Sequence, residues 1–207
     1  IQTEVTKRLL EINTIKIQPD NPFTWASGWK SPIYCENRKT LSYPDTRAYI
    51  SDAFVQMIQE NYPEAEVIAG VATGAIAIGA LVADKLGLPF IYVRSKPKGH
   101  GLENLLEGDL KPFKKVVVVE DLVSTGVSSL KAAEAVNNFG GDVVGMVSIF
   151  TYNFPLAKEN FEKAGIELTS LSRYQILIDF SLERGDITKD QVESLMEWRE
   201  DPANWGK

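Results

Sequence analysis

Val116-Val117-Val118-Val119-Glu120-Asp121-Leu122-Val123-Ser124-Thr125-Gly126-Val127-Ser128 is the stretch that decides the fold. Four consecutive β-branched residues predict a strand buried on both faces, as in a parallel sheet covered by helices. Glu120 and Asp121 stand where that strand is expected to end. Small and hydroxylated residues follow around Gly126, and Ala132, Ala133, Val136 and Phe139 then repeat at helical spacing. A strand entering a helix through a small-residue turn makes an anion site. The free N–H groups of the first helical turn and the helix dipole both point at it. Ser124, Thr125 and Ser128 add hydroxyl donors, and Gly126 lets the backbone approach a phosphate closely. The acidic pair would repel a bare phosphate. It suits a ligand that also carries sugar hydroxyls or a metal ion. No Lys follows Gly126, so the loop is not a P-loop. The residues alone also fit a plainer reading: a buried strand, an acidic turn and a capped helix.

The 207 residues, 44% of them hydrophobic, suit one compact domain with a small appendage. A net charge of −6 argues against a nucleic-acid-binding surface. The single cysteine, Cys35, excludes an internal disulfide and fits a reducing cytoplasm. No apolar run approaches the roughly 20 residues that span a bilayer, and no signal-peptide pattern opens the chain, so no membrane partner is expected. One histidine and one cysteine leave no cluster for structural zinc.

Outward from the central stretch, strands and helices alternate, which predicts an α/β fold with a mostly parallel sheet flanked by helices. Residues 2–13 read as an amphipathic helix. Phe23 to Trp25 and Ile33 to Cys35 read as short strands joined through a Ser-Gly turn. Their aromatics beside Lys30 and Arg38 could hold a flat anion, although such a hairpin is more often simple packing. A helix with Pro44 in its first turn runs to about Gln59. Val67 to Gly70 reads as a buried strand leading into Val71-Ala72-Thr73-Gly74-Ala75 and a helix to Leu86. That is a second candidate anion site, or merely small residues that permit tight helix–sheet packing. Phe90 to Val93 form a strand, and Arg94 to Asp109, rich in cations and glycine, read as a long mobile loop. Asp142 to Thr151 and Ile166 to Leu171 complete the strands. Helices are expected over Pro155 to Ala164, over Arg173 to about Arg184 with Ser172 as N-cap and Gly185 as terminator, and from a Thr188–Gln191 capping box through Trp198.

Three ordered motifs resemble the orotate branch of the type I phosphoribosyltransferases. The central stretch resembles their ribose-5-phosphate loop. Ser27-Gly28-Trp29-Lys30-Ser31-Pro32-Ile33-Tyr34 is similar to the N-terminal signature SGxxSPxY. Arg94, Lys98, His100 and Gly101 match the order of their catalytic loop. The chain also departs from the family pattern. The Lys some members carry in the N-terminal motif is Ala26 here, that of the diphosphate loop is Gly74, and that following the loop Arg is Ser95. The Asp-Arg pair whose Arg holds the orotate carboxylate in many relatives is Thr151-Tyr152 here.

The resemblance implies a single domain over residues 1–207. A small hood would form from about residues 1–40 and the C-terminal segments. The implied reaction joins orotate to phosphoribosyl diphosphate (PRPP), with Mg²⁺ as cofactor, in a cytoplasmic homodimer with shared active sites. PRPP would be held by Arg94, Lys98, His100, Glu120, Asp121, Leu122, Val123, Ser124, Thr125, Gly126, Val127 and Ser128, with Ala72, Thr73 and Gly74 as diphosphate loop. Lys98, His100 and Asp121 are the implied catalytic residues. Ser124, Tyr34, Cys35 and Arg38 would face orotate. No protein group is expected to ligate Mg²⁺ directly; it would be held mainly by PRPP and through water to Asp121. Two alternatives stay open, a uracil or purine phosphoribosyltransferase and a PRPP-binding regulator without chemistry.

Overall fold

The computed structural model describes residues 1–25, 27–96, 105–112 and 114–206. In chain order these form α1 (Gln2–Glu11), β1 (Ile15–Ile17), β2 (Phe23–Thr24), β3 (Lys30–Ser31), β4 (Ile33–Cys35), a 3-10 helix (Asn37–Ser42) and α2 (Pro44–Asn61). Then come β5 (Val67–Val71), α3 (Ile76–Leu86), β6 (Phe90–Val93), β7 (Leu106–Glu107), β8 (Lys115–Val123), α4 (Val127–Asn138) and β9 (Asp142–Thr151). The chain closes with α5 (Pro155–Ala164), β10 (Leu168–Arg173), α6 (Tyr174–Arg184) and α7 (Lys189–Glu200).

Six strands make the central sheet in the order β10-β9-β8-β5-β6-β7. All neighbours are parallel except β7, which runs antiparallel to β6. The valines of β8 explain its central place. Val117 and Val119 enter the core shared with α1, α2, α3, α6 and α7, while Val116 and Val118 enter the core under α4 and Phe161 of α5. All four are fully buried, so the strand is covered on both faces. Parallel strands place their carboxyl ends together, and the loops after β5, β6 and β8 therefore meet at one edge.

Several boundaries differ from expectation. The central strand does not stop before the acidic pair. It runs on to Val123 because Leu122 and Val123 pair with Phe150 and Thr151 of β9. The aromatic segment is not one hairpin: β2 pairs with β3, and β4 pairs with β1, which puts Ile33 opposite Ile17 with Ile15 and Ile33 both buried. Strand β1 has too few residues to show a period in sequence. Strand β7 lies inside the segment expected to be all loop. Ser172 does not cap α6; Arg173 occupies that position, and the buried Ser172 hydroxyl pairs with Thr6 of α1 at 2.6 Å. The Thr188–Gln191 capping box forms, and Gly185 ends α6 with φ +78°.

Chain segments distant in sequence lock the small sheets in place. The Trp198 indole of α7 donates to the Lys30 carbonyl at 3.1 Å, and Gln191 donates to Asp20 at 2.7 Å. Trp198 is fully buried among Trp25, Tyr152, Phe154 and Tyr174, with ring centroids 5.2 to 5.7 Å away.

Candidate active site

Two adjoining clefts open at the carboxyl edge of the sheet. The larger, about 620 Å³, is walled by the loop after β5, the end of β6, the acidic pair of β8 and the first turns of α4. The smaller, about 460 Å³, lies between the aromatic segment and the end of β9. Tyr34, Cys35 and Leu122 line both, so the two are neighbours that share a wall.

Glu120 is buried on the last turn-ward stretch of β8. Its carboxylate accepts from the Ser129 hydroxyl at 2.9 Å and from the backbone N–H of Asp121 at 3.0 Å. Burial, and then the Asp121 carboxylate beside it, push the Glu120 carboxyl up to about 8. Asp121 is half-buried and faces the larger cleft. Gly74 lies so close that a Cβ there would fall on the Asp121 carboxyl. The absence of a side chain at Gly74 is what lets the loop after β5 reach the acidic pair.

Linkage gives Glu120 a pH signature. Its folded value is raised, so between about 4.5 and about 8 the folded chain holds a proton that the unfolded chain releases. The cost in stability therefore grows as pH rises through that window and is flat above it. Glu120→Gln copies the protonated carboxyl. Differential scanning calorimetry should find the variant's melting temperature raised at pH about 9 and little changed at pH about 5. An equal shift at both would show that Glu120 does not carry this proton.

The loop after β8 distributes its residues over several surfaces. Gly126 caps α4 with φ +80°, and a Cβ there would also strike Phe161, so the turn requires glycine. Ser128 lines the larger cleft and Ser124 the smaller. Thr125 lines a separate pocket beside Phe154, and its carbonyl is taken by the Asn160 amide at 2.9 Å. Val127 is exposed at the helix start. Val123 is fully buried and packs in the core, and its carbonyl accepts from Tyr152 N–H at 3.1 Å. Neither its side chain nor that carbonyl is offered to a ligand.

Ala72, Thr73 and Gly74 line the larger cleft, with a cis peptide between Ala72 and Thr73. Arg94 lines it too. Its backbone N–H donates to Leu105 O at 2.7 Å, and its guanidinium pairs with Glu107 at 3.0 Å. Lys98 and His100 lie outside the described residues. Arg38 is exposed on the rim of the larger cleft.

Three residues were missed in sequence. Asn37 is buried between the small sheets and β8, donating to the Asp121 carbonyl at 2.6 Å and accepting from the Cys35 thiol at 3.1 Å. Burial, and then Asp121, push that thiol up. Ser129 serves Glu120, and Lys131 brings a cation to the larger cleft one helical turn beyond Ser128. The helical spacing of Ser128 and Lys131 was the available signal for the last.

A sheet edge that joins an acidic pair, a glycine-capped helix start and a second small-residue loop belongs to the type I phosphoribosyltransferases. The phosphoribosyl transferase domain family matches residues 43–165 of this chain. An orotate phosphoribosyltransferase of Porphyromonas gingivalis is 60% identical over 202 residues, 98% of this chain and 96% of its own. One from Bacteroides fragilis is 56% identical over 199 residues, covering 96% and 94%. The crystal structure of orotate phosphoribosyltransferase from Aeropyrum pernix superposes with a TM-score of 0.77 at 26% identity, over 89% of this chain and 99% of that one. The chain belongs to the orotate phosphoribosyltransferase family.

Proposed function

We propose that the chain transfers the phosphoribosyl group of PRPP to N1 of orotate, giving orotidine 5′-phosphate and diphosphate in pyrimidine nucleotide synthesis. The bond from the anomeric carbon to the diphosphate oxygen breaks, the bond to N1 forms, and N1 gives up its proton. The observation that carries this reading is the pairing of the two clefts. One is sized and furnished for a phosphorylated sugar, and the other is an aromatic slot that meets it at Tyr34, Cys35 and Leu122.

Positive charge develops on the ribose as diphosphate leaves, so the enzyme's task is to position two anions and stabilise the leaving group. Asp121 would hold the ribose hydroxyls and favour the cationic transition state, with Glu120 behind it. Ser128 and the N-terminal N–H groups of α4 would cradle the 5′-phosphate. Ala72 to Gly74, Arg94 and Lys131 would meet the diphosphate. Lys98 and His100 would add charge from the Ser95–Asp109 loop, reaching the site of a neighbouring copy in a homodimer. Tyr34, Cys35 and Ser124 would flank orotate, with Arg38 at the rim. The segment from about residue 1 to 40, with α7, would act as a hood over the base within one domain spanning residues 1–207.

Mg²⁺ fits the donor set, because Asp121 supplies a hard oxygen in the cleft. Among the described residues no group of three or more acidic, His or Cys side chains gathers into a metal cage. The ion would therefore enter with the diphosphate, whose charge it neutralises. A cytoplasmic site of action fits the single, unpaired cysteine. No helix among the described residues is long and apolar enough to cross a membrane.

The test is turnover by the purified protein with PRPP and Mg²⁺, offering orotate, uracil and adenine separately. Orotate alone should be consumed with stoichiometric diphosphate release. Equal use of uracil or adenine would overturn the base assignment, and PRPP binding without turnover would make the chain a sensor.

A further inference from the structure

Tyr152 stands just past β9, tied to the end of β8 by its N–H donating to Val123 O. Its side chain is only 2% exposed. The ring is stacked on Phe154 with centroids 5.3 Å apart, edge-on to Phe150 and Trp198, and tilted against Trp25 at 5.2 Å. Four rings fix its position, and with it the place of the hydroxyl. A buried phenol normally finds a hydrogen-bond partner. Tyr174, in the same cluster, donates to Leu195 O at 2.7 Å. The Tyr152 hydroxyl has no partner among the described residues. It also differs from the Thr14 and Ser181 hydroxyls, which are sealed in the core unpaired. Tyr152 instead lines the smaller cleft.

That cleft has no charged side chain among its lining residues. Its polar groups are few. The Cys35 thiol is already committed to Asn37, and the Thr24 hydroxyl already accepts from Lys30. Thr24 keeps its hydroxyl proton, so Thr24, Tyr34, Ser124 and Tyr152 are the donors, and of these Thr24 and Tyr34 are exposed, Ser124 is half-buried and Tyr152 alone is buried and held by rings. An anionic planar ligand desolvated there must find hydrogen-bond donors for its charge.

We propose that Tyr152 is a specificity-determining residue of this cleft, its hydroxyl donating a hydrogen bond to the carboxylate of the pyrimidine. The inference rests on the reading of the smaller cleft as the base subsite. Burial above all, with Cys35, Tyr174 and Tyr34 alongside, pushes the phenol well above its ordinary range. It therefore stays protonated, a donor, wherever the enzyme works. A hydrogen bond between a neutral donor and a carboxylate is charge-assisted and short, so it discriminates a base that carries the carboxylate from one that lacks it.

Tyr152→Phe removes the hydroxyl, keeps the ring packing and leaves no protein partner unpaired. The expected result is a rise of about ten-fold in the KM for orotate and in the Kd of orotidine 5′-phosphate, the scale of one charge-assisted hydrogen bond. The KM for PRPP and the melting temperature should not move. An orotate KM within two-fold of wild type overturns the inference, as does an equal rise in both KM values with a lower melting temperature, which would make the hydroxyl structural. Arg38→Ala serves as comparator. If it carries the whole orotate-specific loss and Tyr152→Phe none, the carboxylate is held from the rim and the inference falls. A wild-type enzyme that binds no orotate by calorimetry overturns the base-subsite reading itself, which separates the two failures.

Discussion

Asp121→Asn is expected to cut turnover by about ten-fold or more, the scale of losing a charge-assisted hydrogen bond to the ribose. The substitution keeps the shape of the side chain. It therefore leaves the close approach of Gly74 and the hydrogen bond from Asn37 to the backbone carbonyl undisturbed. It also removes the carboxylate that helps to push Glu120 up, so the fold should lose nothing and gain slightly at neutral pH. Steady-state kinetics with PRPP, read beside a melting curve, checks both halves. Turnover close to wild type would take Asp121 out of the mechanism.

The second large effect is a recovery. In the homodimer proposed above, the Lys98→Ala and Asp121→Asn variants should each lose about ten-fold or more of their activity. Mixed and allowed to exchange subunits, they should regain activity, because one of the two sites in each hybrid carries both residues intact. Arg94 is held at the end of β6 by Glu107 and by Leu105 O, which fixes the base of the Ser95–Asp109 segment. Ordering a loop costs roughly 1–2 kcal/mol per residue, which diphosphate charge can offset. If exchange is demonstrated by mass spectrometry and activity stays absent, each subunit serves its own site.

The parts of the molecule legible in sequence were those with a strong local cause. The valine run announced a doubly covered strand because β-branched side chains with no polar alternation have no other economical place. Gly126 announced the turn into α4, and Thr188 with Gln191 announced the start of α7, since capping chemistry is written within four residues. Short elements that depend on distant partners left no such trace. Strand β1 exists because it pairs with β4 across fifteen intervening positions, and β7 because β6 offers it an edge. Ser172 looked like a cap but spends its hydroxyl on Thr6, a residue at the other end of the chain. In the site, Glu120, Asp121 and Gly74 were readable from motif order. Asn37 was not, because its partners are the thiol two residues back and a carbonyl 84 residues on. Tyr152 stands where many relatives carry an arginine, and the four rings packed around it have no trace in the local sequence.

The link between Trp198 and Lys30 sets an order of events during synthesis. The two groups are 168 residues apart. At about 5–20 residues per second, roughly 10–30 s separate their emergence from the ribosome. Strands β2 and β3 are two residues each, too short to persist as an isolated pair in water. The smaller cleft therefore takes shape only after α7 has left the ribosome, and a nascent chain stalled before Trp198 would expose Trp25, Tyr152 and Phe154 to whatever chaperone waits outside the exit tunnel.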